Sequence, residues 1–597
     1  MRLLLTAATA ASVSLFLPLW PFPHQHLAHQ APEAVDFLVA VPEEAVLLVA
    51  TDELDAIRER GKDNTWVRFF RDEEFSPLWE MIPFDEIFPE EDDDVPWFHP
   101  LDVLASIHGR VACFLSPAGE EGLMGGGLLV EPGEPNEAFL EFWDRARLEL
   151  EGSEDGIIST LEYAGVELMV AEDPSKDPED EEDSTTCVLF EVEGLFAVVV
   201  SESPDAALDL AYGVIDRTAG NDPSLGFTAN AAYQGTREPG EISPAIEMLV
   251  VLQDLLSLVD GPFGDDEDEE ELVDLGLAAI EWIHVDADIG AGERLDLFVR
   301  VHLPSGTLLG DLADFLGPLP VDQMRLMPAE SLSISLGNFD IWGAYQRICD
   351  YMAEKHPEGY EEILSKLDEA SSMLGTDIEQ DLLVQLSGTF SGYEMRLPEE
   401  EAFGGLPFAP GAFDPALATG GAFTLGLKES EPVERFIKGL LDMSGMGPMV
   451  RTEEFQGYRV NKVDMDPLSI QWAFVDQGLV ISMFPTAMRA TLRLIGRTDV
   501  PTAADNQRFA EVLEDLRGAS IVSLSDTRTS MEAMLEVINM MTELAPMFAS
   551  GFEDPDDMTL ADLHFPSPEL AAEYFEGTMI FAFFRDGDVL GMHLGSR

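Results

Sequence analysis

The chain has 597 residues and carries 115 Asp and Glu against 33 Lys and Arg, a formal net charge of -82. Such an excess of acid repels phosphate backbones, so the composition excludes a protein that binds nucleic acid by covering its phosphates. Hydrophobic residues make up 46% of the chain, which is enough to build substantial cores, so the acidity does not indicate a disordered polyanion.

The chain begins with a segment typical of export. Arg2 precedes an uncharged apolar run from Leu3 to Trp20, which matches the charged and hydrophobic parts of a secretory signal. Residues 1–34 are therefore expected to be a signal peptide, or an N-terminal anchor, with a short linker. We expect an extracytoplasmic protein, periplasmic or secreted, and leave open its retention by an uncleaved segment. No later stretch approaches the roughly 20 apolar residues of a membrane helix, so we expect no integral span in the mature chain.

After the leader, the first half of the chain resembles the second half. The phrase VPEEAVLLVATDELDAI from Val41 returns as MPAESLSISLGNFDIWG from Met327. Further pairs follow in the same order along the chain: Gly109 with Gly388, Glu134-Pro135 with Glu431-Pro432, Gly165 with Gly457, Gly194 with Gly478, and Pro204 with Pro485. Because order is kept and spacing changes little, the pattern predicts a duplication. The predicted repeat domains are residues 37–323 and 325–597.

Each copy predicts strands and helices in the same order. An opening strand (45–50; 332–336) precedes a helix (64–82; 339–356) and a strand (111–115; 389–395). A further strand before the Glu-Pro step and a helix after it (136–150; 433–443) come next. Two hairpins follow, with Gly165, Gly194, Gly457 and Gly478 supplying positive φ in their turns, then a helix from Pro204 or Pro485, and a final strand pair (281–288 with 295–302; 578–585 with 589–595). The predicted fold class is α+β, two tandem repeats, each a mainly antiparallel sheet covered by helices.

The opening phrases carry a resemblance to a known group. A signal segment, followed by long repeats that each place a Pro-acid-Ala/Ser phrase before a strand, resembles a family of exported bacterial proteins known only as a domain of unknown function. Val41 to Val49 and Met327 to Leu336 hold these phrases. The resemblance implies an extracytoplasmic location and two long α+β repeats. It implies no established activity and supplies no catalytic residue.

The three cysteines, Cys113, Cys187 and Cys349, match no zinc, redox or haem spacing. Cys113 and Cys187 lie in strand-like apolar runs, which favours an interpretation as small buried hydrophobic residues. A disulfide between Cys113 and Cys187 is the alternative.

Runs of acid indicate diffuse binding of counter-cations. The candidates are Asp92, Asp93, Asp94, Asp265, Asp266 and Asp268. These runs lack the spaced D-x-[DN]-x-[DN]-G pattern of a calcium loop, so they predict solvated loops and no defined metal site. His24, His26 and His29 form the one histidine cluster and lie just beyond the signal. His108, His284 and His302 are interpreted as satisfied or surface histidines.

No motif for a nucleophile elbow, a zinc protease or a phosphate-binding loop occurs in the sequence, so we assign no catalytic residue and no cofactor. The leading hypothesis is a non-enzymatic acidic envelope or secreted protein that acts as a binding or scaffold component, with a protein partner. Two alternatives stay open. One is an extracytoplasmic hydrolase whose carboxylates meet only in the fold. The other is a carrier of an apolar ligand, for which the stripe from Met531 to Met547 offers a groove if it does not pack as core.

Overall fold

The computed structural model describes residues 37–51, 53–72, 74, 106–118, 123–134, 136–151, 157–173, 185–221, 226–236, 244–252, 255, 279–398, 419–465, 468–476, 478–497, 499–532, 534–536, 539 and 566–597. The chain divides into two compact units. Unit 1 comprises Met1–Glu269 with Ala278–His302, and unit 2 comprises Glu270–Leu277 with Leu303–Arg597. The division near His302 precedes the boundary at 323–325 that the sequence analysis predicts.

Unit 1 contains ten described strands and five helices. The strands are β1 (Leu47–Thr51), β2 (Arg110–Ala118), β3 (Leu123–Glu131), β4 (Ile157–Tyr163), β5 (Val166–Asp173), β6 (Thr185–Val192), β7 (Leu195–Ser201), β8 (Ile246–Val251), β9 (Trp282–Ile289) and β10 (Leu295–His302). The helices are α1 (Leu54–Lys62), α2 (Thr65–Phe70), α3 (Glu137–Glu151), α4 (Pro204–Thr218) and α5 (Ala231–Thr236).

The strands of unit 1 form one antiparallel sheet. Their order is β10-β9-β8-β1-β2-β3-β7-β6-β5-β4. Strand β1, from the opening apolar phrase, therefore lies in the middle of the sheet, between β2 and β8. Strand β4 is the outermost strand of the described pairing on its side, and nearly all of its residues are exposed.

Helices cover both faces of this sheet. On one face, α1 and α3 contribute Leu54 and Phe139 to a core that includes Val130 and Ile246. On the other face, α4 buries Leu210 beside Gly125 of β3. Since neighbouring residues of a strand point to opposite faces, a sheet buried on both sides reads as nearly continuous apolar sequence, as in LFAVVVS of β7.

Unit 2 contains ten described strands and eight helices. The strands are β11 (Ser333–Asn338), β12 (Leu386–Arg396), β13 (Thr419–Leu427), β14 (Arg451–Phe455), β15 (Tyr458–Met465), β16 (Leu468–Val475), β17 (Gly478–Ser482), β18 (Ala519–Asp526), β19 (Thr578–Asp586) and β20 (Val589–Ser596). The helices are α6 (Leu308–Ala313), α7 (Ile341–Lys355), α8 (Pro357–Leu374), α9 (Ile378–Asp381), α10 (Ser430–Met443), α11 (Pro485–Leu494), α12 (Gln507–Asp515) and α13 (Pro568–Tyr574).

The second sheet is also antiparallel. Its order is β20-β19-β18-β11-β12-β13-β17-β16-β15-β14. Its largest core joins Leu336 and Val522 of the sheet to Met488 of α11. A second core, on the opposite face, joins Val433 of α10 to Trp472 of β16. The outermost strand, β14, is exposed along most of its length.

The predicted α+β class with antiparallel strands is confirmed. Several predicted elements also appear close to their expected bounds. Asn64 caps α2 by accepting a hydrogen bond from Val67 N at 3.1 Å, although the predicted helix over 64–82 is described only as Thr65–Phe70. Pro204 and Pro485 stand at the first turns of α4 and α11, where a missing N–H leaves no bond unmade.

The turn prediction for Gly478 is wrong. Gly165 and Gly457 have the predicted positive φ of +85° and +86°, and each follows a second residue with positive φ, as tight hairpins require. Gly478 instead is the first residue of β17, where it pairs with Val475. A Cβ at Gly478 would lie 2.3 Å from the carbonyl oxygen of Leu425, so this glycine permits close approach of two strands.

Cys113, Cys187 and Cys349 are free thiols, so the alternative of a Cys113–Cys187 disulfide is not found. Burial raises the pKa of both Cys113 and Cys187 to about 12, which keeps them as unreactive thiols. Among the described residues, none of the helices has the length and apolarity to cross a membrane. Of the methionine stripe, Met531 and Leu535 are buried, and residues beyond 539 lie outside the described part until 566.

Candidate functional site

Four polar side chains meet inside the apolar sheet of unit 1. We call Glu247 of β8, His284 and Asp286 of β9, and Arg300 of β10 the polar quartet. Glu247, His284 and Asp286 keep only 4%, 2% and 8% of their surface exposed. Buried charged groups are rare unless they are paired, so a set of this kind needs an explanation beyond packing.

Strand register brings the quartet together. Glu247 lies directly opposite Asp286 across the β8–β9 pair, and His284 lies directly opposite Arg300 across the β9–β10 pair. His284 and Asp286 are two residues apart on β9, so they point to the same face. This face is the one that α4 covers. Residues paired directly across neighbouring strands point to the same face, and Glu247 of β8 pairs with Ala50 of β1, which in turn pairs with Ala112 of β2.

A buried asparagine anchors the hairpin that carries three of the four residues. Asn64, which is fully buried, donates hydrogen bonds from Nδ2 to the carbonyl oxygens of Gly290 and Arg294 at 2.8 and 2.9 Å. Arg60 of α1 adds an ion pair to Asp288 at 3.0 Å. The β9–β10 turn is thus tied to the start of α2, which fixes the two strands of the site.

The quartet is linked by short contacts. His284 Nε2 lies 2.8 Å from Glu247 Oε1 and 3.2 Å from Asp286 Oδ1. Arg300 Nη1 donates to Asp286 Oδ2 at 2.7 Å and lies 3.4 Å from His284 Nδ1. The same guanidinium nitrogen lies 3.4 Å from the carbonyl oxygen of Thr236, at the end of α5. The guanidinium group of Arg300 therefore lies between the other three quartet residues and the end of α5.

These contacts indicate which ring nitrogen of His284 carries the imidazole proton. A guanidinium can only donate, so His284 Nδ1 accepts from Arg300, and the imidazole proton then stands on Nε2, where it faces Glu247. Within the quartet, two carboxylates face one guanidinium.

The corresponding positions of unit 2 are apolar. Val522 pairs with Leu336 and with Ala582, as Glu247 pairs with Ala50 and Asp286. By the same register, Ile580 stands in the place of His284, and Gly595 in the place of Arg300. Val522, Ile580 and Ala582 belong to the main apolar core of unit 2. A ten-stranded sheet of this order therefore forms without a polar set at these positions.

The arrangement offers two kinds of chemistry. One ligand atom each from Glu247, His284 and Asp286 lies within 4.8 Å of the others, which is close enough to surround a metal ion. The two carboxylates beside an imidazole also resemble an acid–base pair in composition. Both carboxylates are, however, almost fully buried, with 4% of Glu247 and 8% of Asp286 exposed.

The site residues named from sequence are not in this cluster. Asp92, Asp93, Asp94, Asp265, Asp266 and Asp268 lie outside the described residues, as do His24, His26 and His29. His108 Nδ1 lies 2.9 Å from Asp55 Oδ1, and His302 Nδ1 lies 3.3 Å from Glu281 Oε2. These two histidines have acidic neighbours near the surface, as the sequence interpretation expects.

Sequence reasoning missed the quartet itself. The sequence analysis assigns no role to Glu247 and names no partner for His284. A signal was present in β9, since WIHVDADI places His284 and Asp286 on one face of a strand with Trp282. A charged residue inside IEMLVV of β8 was the second signal. Only the strand order shows that these two signals lie side by side.

Comparison with known proteins does not assign a function to the polar quartet. The resemblance to an exported family stays a prediction. No family model, no curated protein and no solved structure matches the chain.

Proposed function

We propose that this chain is a non-enzymatic binding or scaffold protein that works outside the cytoplasm, in the cell envelope or as a secreted component. The observation that carries the proposal is the burial of the polar quartet. Within the described residues, it is the one group of three or more metal-type ligands, and Glu247 and His284 keep only 4% and 2% exposure. Groups held this deep can stabilise or organise the sheet, but they cannot reach a glycan or a peptide chain.

The proposal includes a tandem duplication, with each repeat forming its own sheet and cores. The strand orders of units 1 and 2 support it, because β1 to β10 and β11 to β20 are arranged in the same sequence. The matched turns at Gly165 and Gly457, and the matched helix starts at Pro204 and Pro485, support it further. Native hydrogen exchange tests the duplication: β1 and β11 are both central, so their amides should be among the most protected in each unit.

Export is the second part of the proposal, and the leader over residues 1–34 supports it. The test is fractionation of bacterial cells that produce the full chain, beside a variant that starts at residue 35. Export predicts protease-accessible full chain outside the cytoplasm and retention of the shortened chain inside. Equal cytoplasmic retention of both chains would refute this part.

Turnover assays test the absence of catalysis. Purified protein is incubated with ester, glycoside and peptide substrates, beside the variants Glu247→Gln and Asp286→Asn. A non-enzymatic protein gives no turnover above a heat-denatured sample. Turnover that disappears in either variant would reject the scaffold proposal.

A hydrolase is the second candidate, and one observation favours it. Glu247 and Asp286 place carboxylate oxygens within 4.8 Å of a nitrogen of His284, and an imidazole beside carboxylates is a combination that general acid–base catalysis uses. The assay above separates the two functions. The matched control is His593→Gln, which alters a buried histidine of β20 in unit 2 and should leave any activity of the quartet unchanged.

A further inference from the structure

We propose that Glu247, His284 and Asp286 bind one divalent transition-metal ion of the Zn²⁺ class, a property that goes beyond the scaffold function. The distances from His284 Nε2 are 2.8 Å to Glu247 Oε1 and 3.2 Å to Asp286 Oδ1. Ligand atoms that surround an ion at about 2.1 Å stand roughly 3 to 3.4 Å from one another. The 3.2 Å contact falls within this range, the 2.8 Å contact lies just below it, and all three ligand atoms lie within 4.8 Å of one another, so small side-chain movements would bring them around one ion.

A hydrogen bond alone accounts for only part of this geometry. His284 Nε2 carries one proton at most, and this proton can point at Glu247 or at Asp286 but serves the two poorly together. Both carboxylates nevertheless converge on the same nitrogen. A cation placed among the three atoms would attract both carboxylates at once.

The ligand types select the class of ion. One imidazole nitrogen with two carboxylate oxygens suits Zn²⁺, Mn²⁺ or Fe²⁺. Ca²⁺ and Mg²⁺ prefer shells made entirely of oxygen, so they should compete poorly. Binding at this site is thereby distinct from the diffuse attraction of cations to the acidic surface, which depends on charge alone.

Arg300 sets the affinity of the site. When an ion occupies Nε2, the imidazole proton must move to Nδ1, which lies 3.4 Å from Arg300 Nη1. Two donors would then face each other, and the guanidinium would add a positive charge beside the metal. Arg300 must turn away from Nδ1 and keep its 2.7 Å bond to Asp286. Its side chain is 19% exposed, so it has solvent on one side to turn toward.

Among the described residues, the register places a set of this kind in unit 1 and not at the corresponding positions of unit 2. The counterparts in unit 2 are Val522, Ile580 and Ala582, which have no ligand atoms. A stoichiometry near one per chain is thus expected for the tight site.

The experiment uses the purified full chain, stripped with chelator and held in excess Mg²⁺ and salt to occupy diffuse sites. Isothermal titration with Zn²⁺ should reveal one tight site. Glu247→Gln and Asp286→Asn keep the side-chain shape and remove one ligand charge each, so both should weaken this site by at least about 10-fold. Arg300→Gln removes the opposing charge and offers Nδ1–H an acceptor, so it should tighten binding by about 10-fold.

Two control variants guard against other histidines. The triple change His24→Gln, His26→Gln and His29→Gln, and the single change His593→Gln, should each leave the tight site intact. Circular dichroism checks the fold of every variant. Because a variant can fail to fold, Co²⁺ absorption of the wild-type protein gives an independent measurement, and a four- or five-coordinate spectrum displaced by Zn²⁺ is expected.

The proposal is overturned by any of three results. The first is the lack of a Zn²⁺ site tighter than the diffuse background, together with no displaceable Co²⁺ spectrum. The second is a tight site that folded Glu247→Gln and Asp286→Asn leave unchanged. The third is loss of the site in the variant that lacks His24, His26 and His29.

Discussion

The two sheets place opposite chemistry at corresponding positions. In unit 1, strands β8, β9 and β10 carry Glu247, His284, Asp286 and Arg300, the polar quartet. In unit 2, strands β18, β19 and β20 carry Val522, Ile580, Ala582 and Gly595 at the same register. The strand order around both sets is the same. A sheet with this strand order therefore forms without a polar quartet at these positions.

Energetics support this view. Burying charges in an apolar sheet is costly, and well-packed apolar residues in their place are often equally stable or more stable. Unit 2 has the apolar solution, with Val522 and Ile580 exposed at only 1% and 4%. A chain that keeps the polar solution in one unit alone is therefore expected to use it.

The largest effect should come from breaking the quartet at one residue. Asp286→Ala would leave the Arg300 guanidinium without its 2.7 Å acceptor and should lower the free energy of unfolding by about 3 to 5 kcal/mol. Urea denaturation of unit 1, followed by hydrogen exchange in β9, measures the loss. The matched variant combines Glu247→Val, His284→Ile and Asp286→Ala with Arg300→Met, and it should cost less than the single change. A larger cost for the combined variant would show that unit 1 depends on the quartet for folding.

Central leucines test whether the units are equivalent where both are apolar. Leu249 and Leu524 pair with Leu48 and Ile334, respectively, and both are fully buried. Leu249→Ala and Leu524→Ala should each cost about 2 to 5 kcal/mol, since each leaves a cavity in a packed core. Unfolding of the two variants by urea gives both values. If the two losses of stability differ by more than the width of this expected range, the two positions are not equivalent.

Glycine substitutions in the two matched hairpin turns should have equal effects on stability, and these effects should be smaller than those of the leucine substitutions. Gly165→Ala and Gly457→Ala force a Cβ into φ of +85° and +86° and should each cost about 1 to 2 kcal/mol. Thermal unfolding measures the change. The control has the opposite sign: Ala164→Gly removes a Cβ at φ +50° and should not destabilise the protein. Destabilisation by Ala164→Gly would contradict this account of the turn.

The smallest effect concerns Asp526, a charged residue of unit 2 whose counterpart in unit 1 is apolar. Burial alone would raise the pKa of Asp526, but hydrogen bonds from Thr529 and Arg508 outweigh burial and hold the pKa below its ordinary value. The position of Asp526 in unit 1 is occupied by Val251, by register of β8 and β18. A lowered folded pKa contributes stability above the unfolded pKa of about 3.9 and loses it as pH falls through the folded value.

Asp526→Asn should therefore remove about 1 kcal/mol of stability at pH 7 and progressively less at a pH well below the unfolded pKa of about 3.9. Urea unfolding at the two pH values checks the sign. Asp322→Asn is the control, because its ion pair with Arg325 is widely separated at 4.0 Å and exposed, so it should change neither value. An equal loss at both pH values would assign the effect of Asp526 to packing.

Local chemistry made much of the fold predictable. Pro204 and Pro485 indicated helix starts because proline loses nothing at the first turn. Apolar runs beside glycine indicated hairpins, and Gly165 and Gly457 do form such turns. The prediction failed at Gly478, since a glycine that permits close strand approach and a glycine that permits positive φ look identical in sequence.

The quartet was beyond sequence reasoning for a different reason. Glu247 and His284 are separated by a long stretch of chain, and their meeting depends on β8 returning to the middle of the sheet beside β1. Strand neighbours of this kind are set by tertiary packing, which no local pattern encodes. With acids spread over the whole sequence, one buried Glu could not be told from the many solvated ones.

The exposed outer strands β4 and β14 affect how the protein behaves at high concentration. An open strand margin is a template on which another chain can add, and from there fibres grow. Acidic side chains lie on both margins, Glu162 on β4 and Glu453 and Glu454 on β14, where Arg451 is the one basic residue of the strand. Copies that approach margin to margin repel one another, so this chain should resist polymerisation in crowded surroundings. That resistance should fade in strong brine or in acid, where the repulsion is screened or discharged.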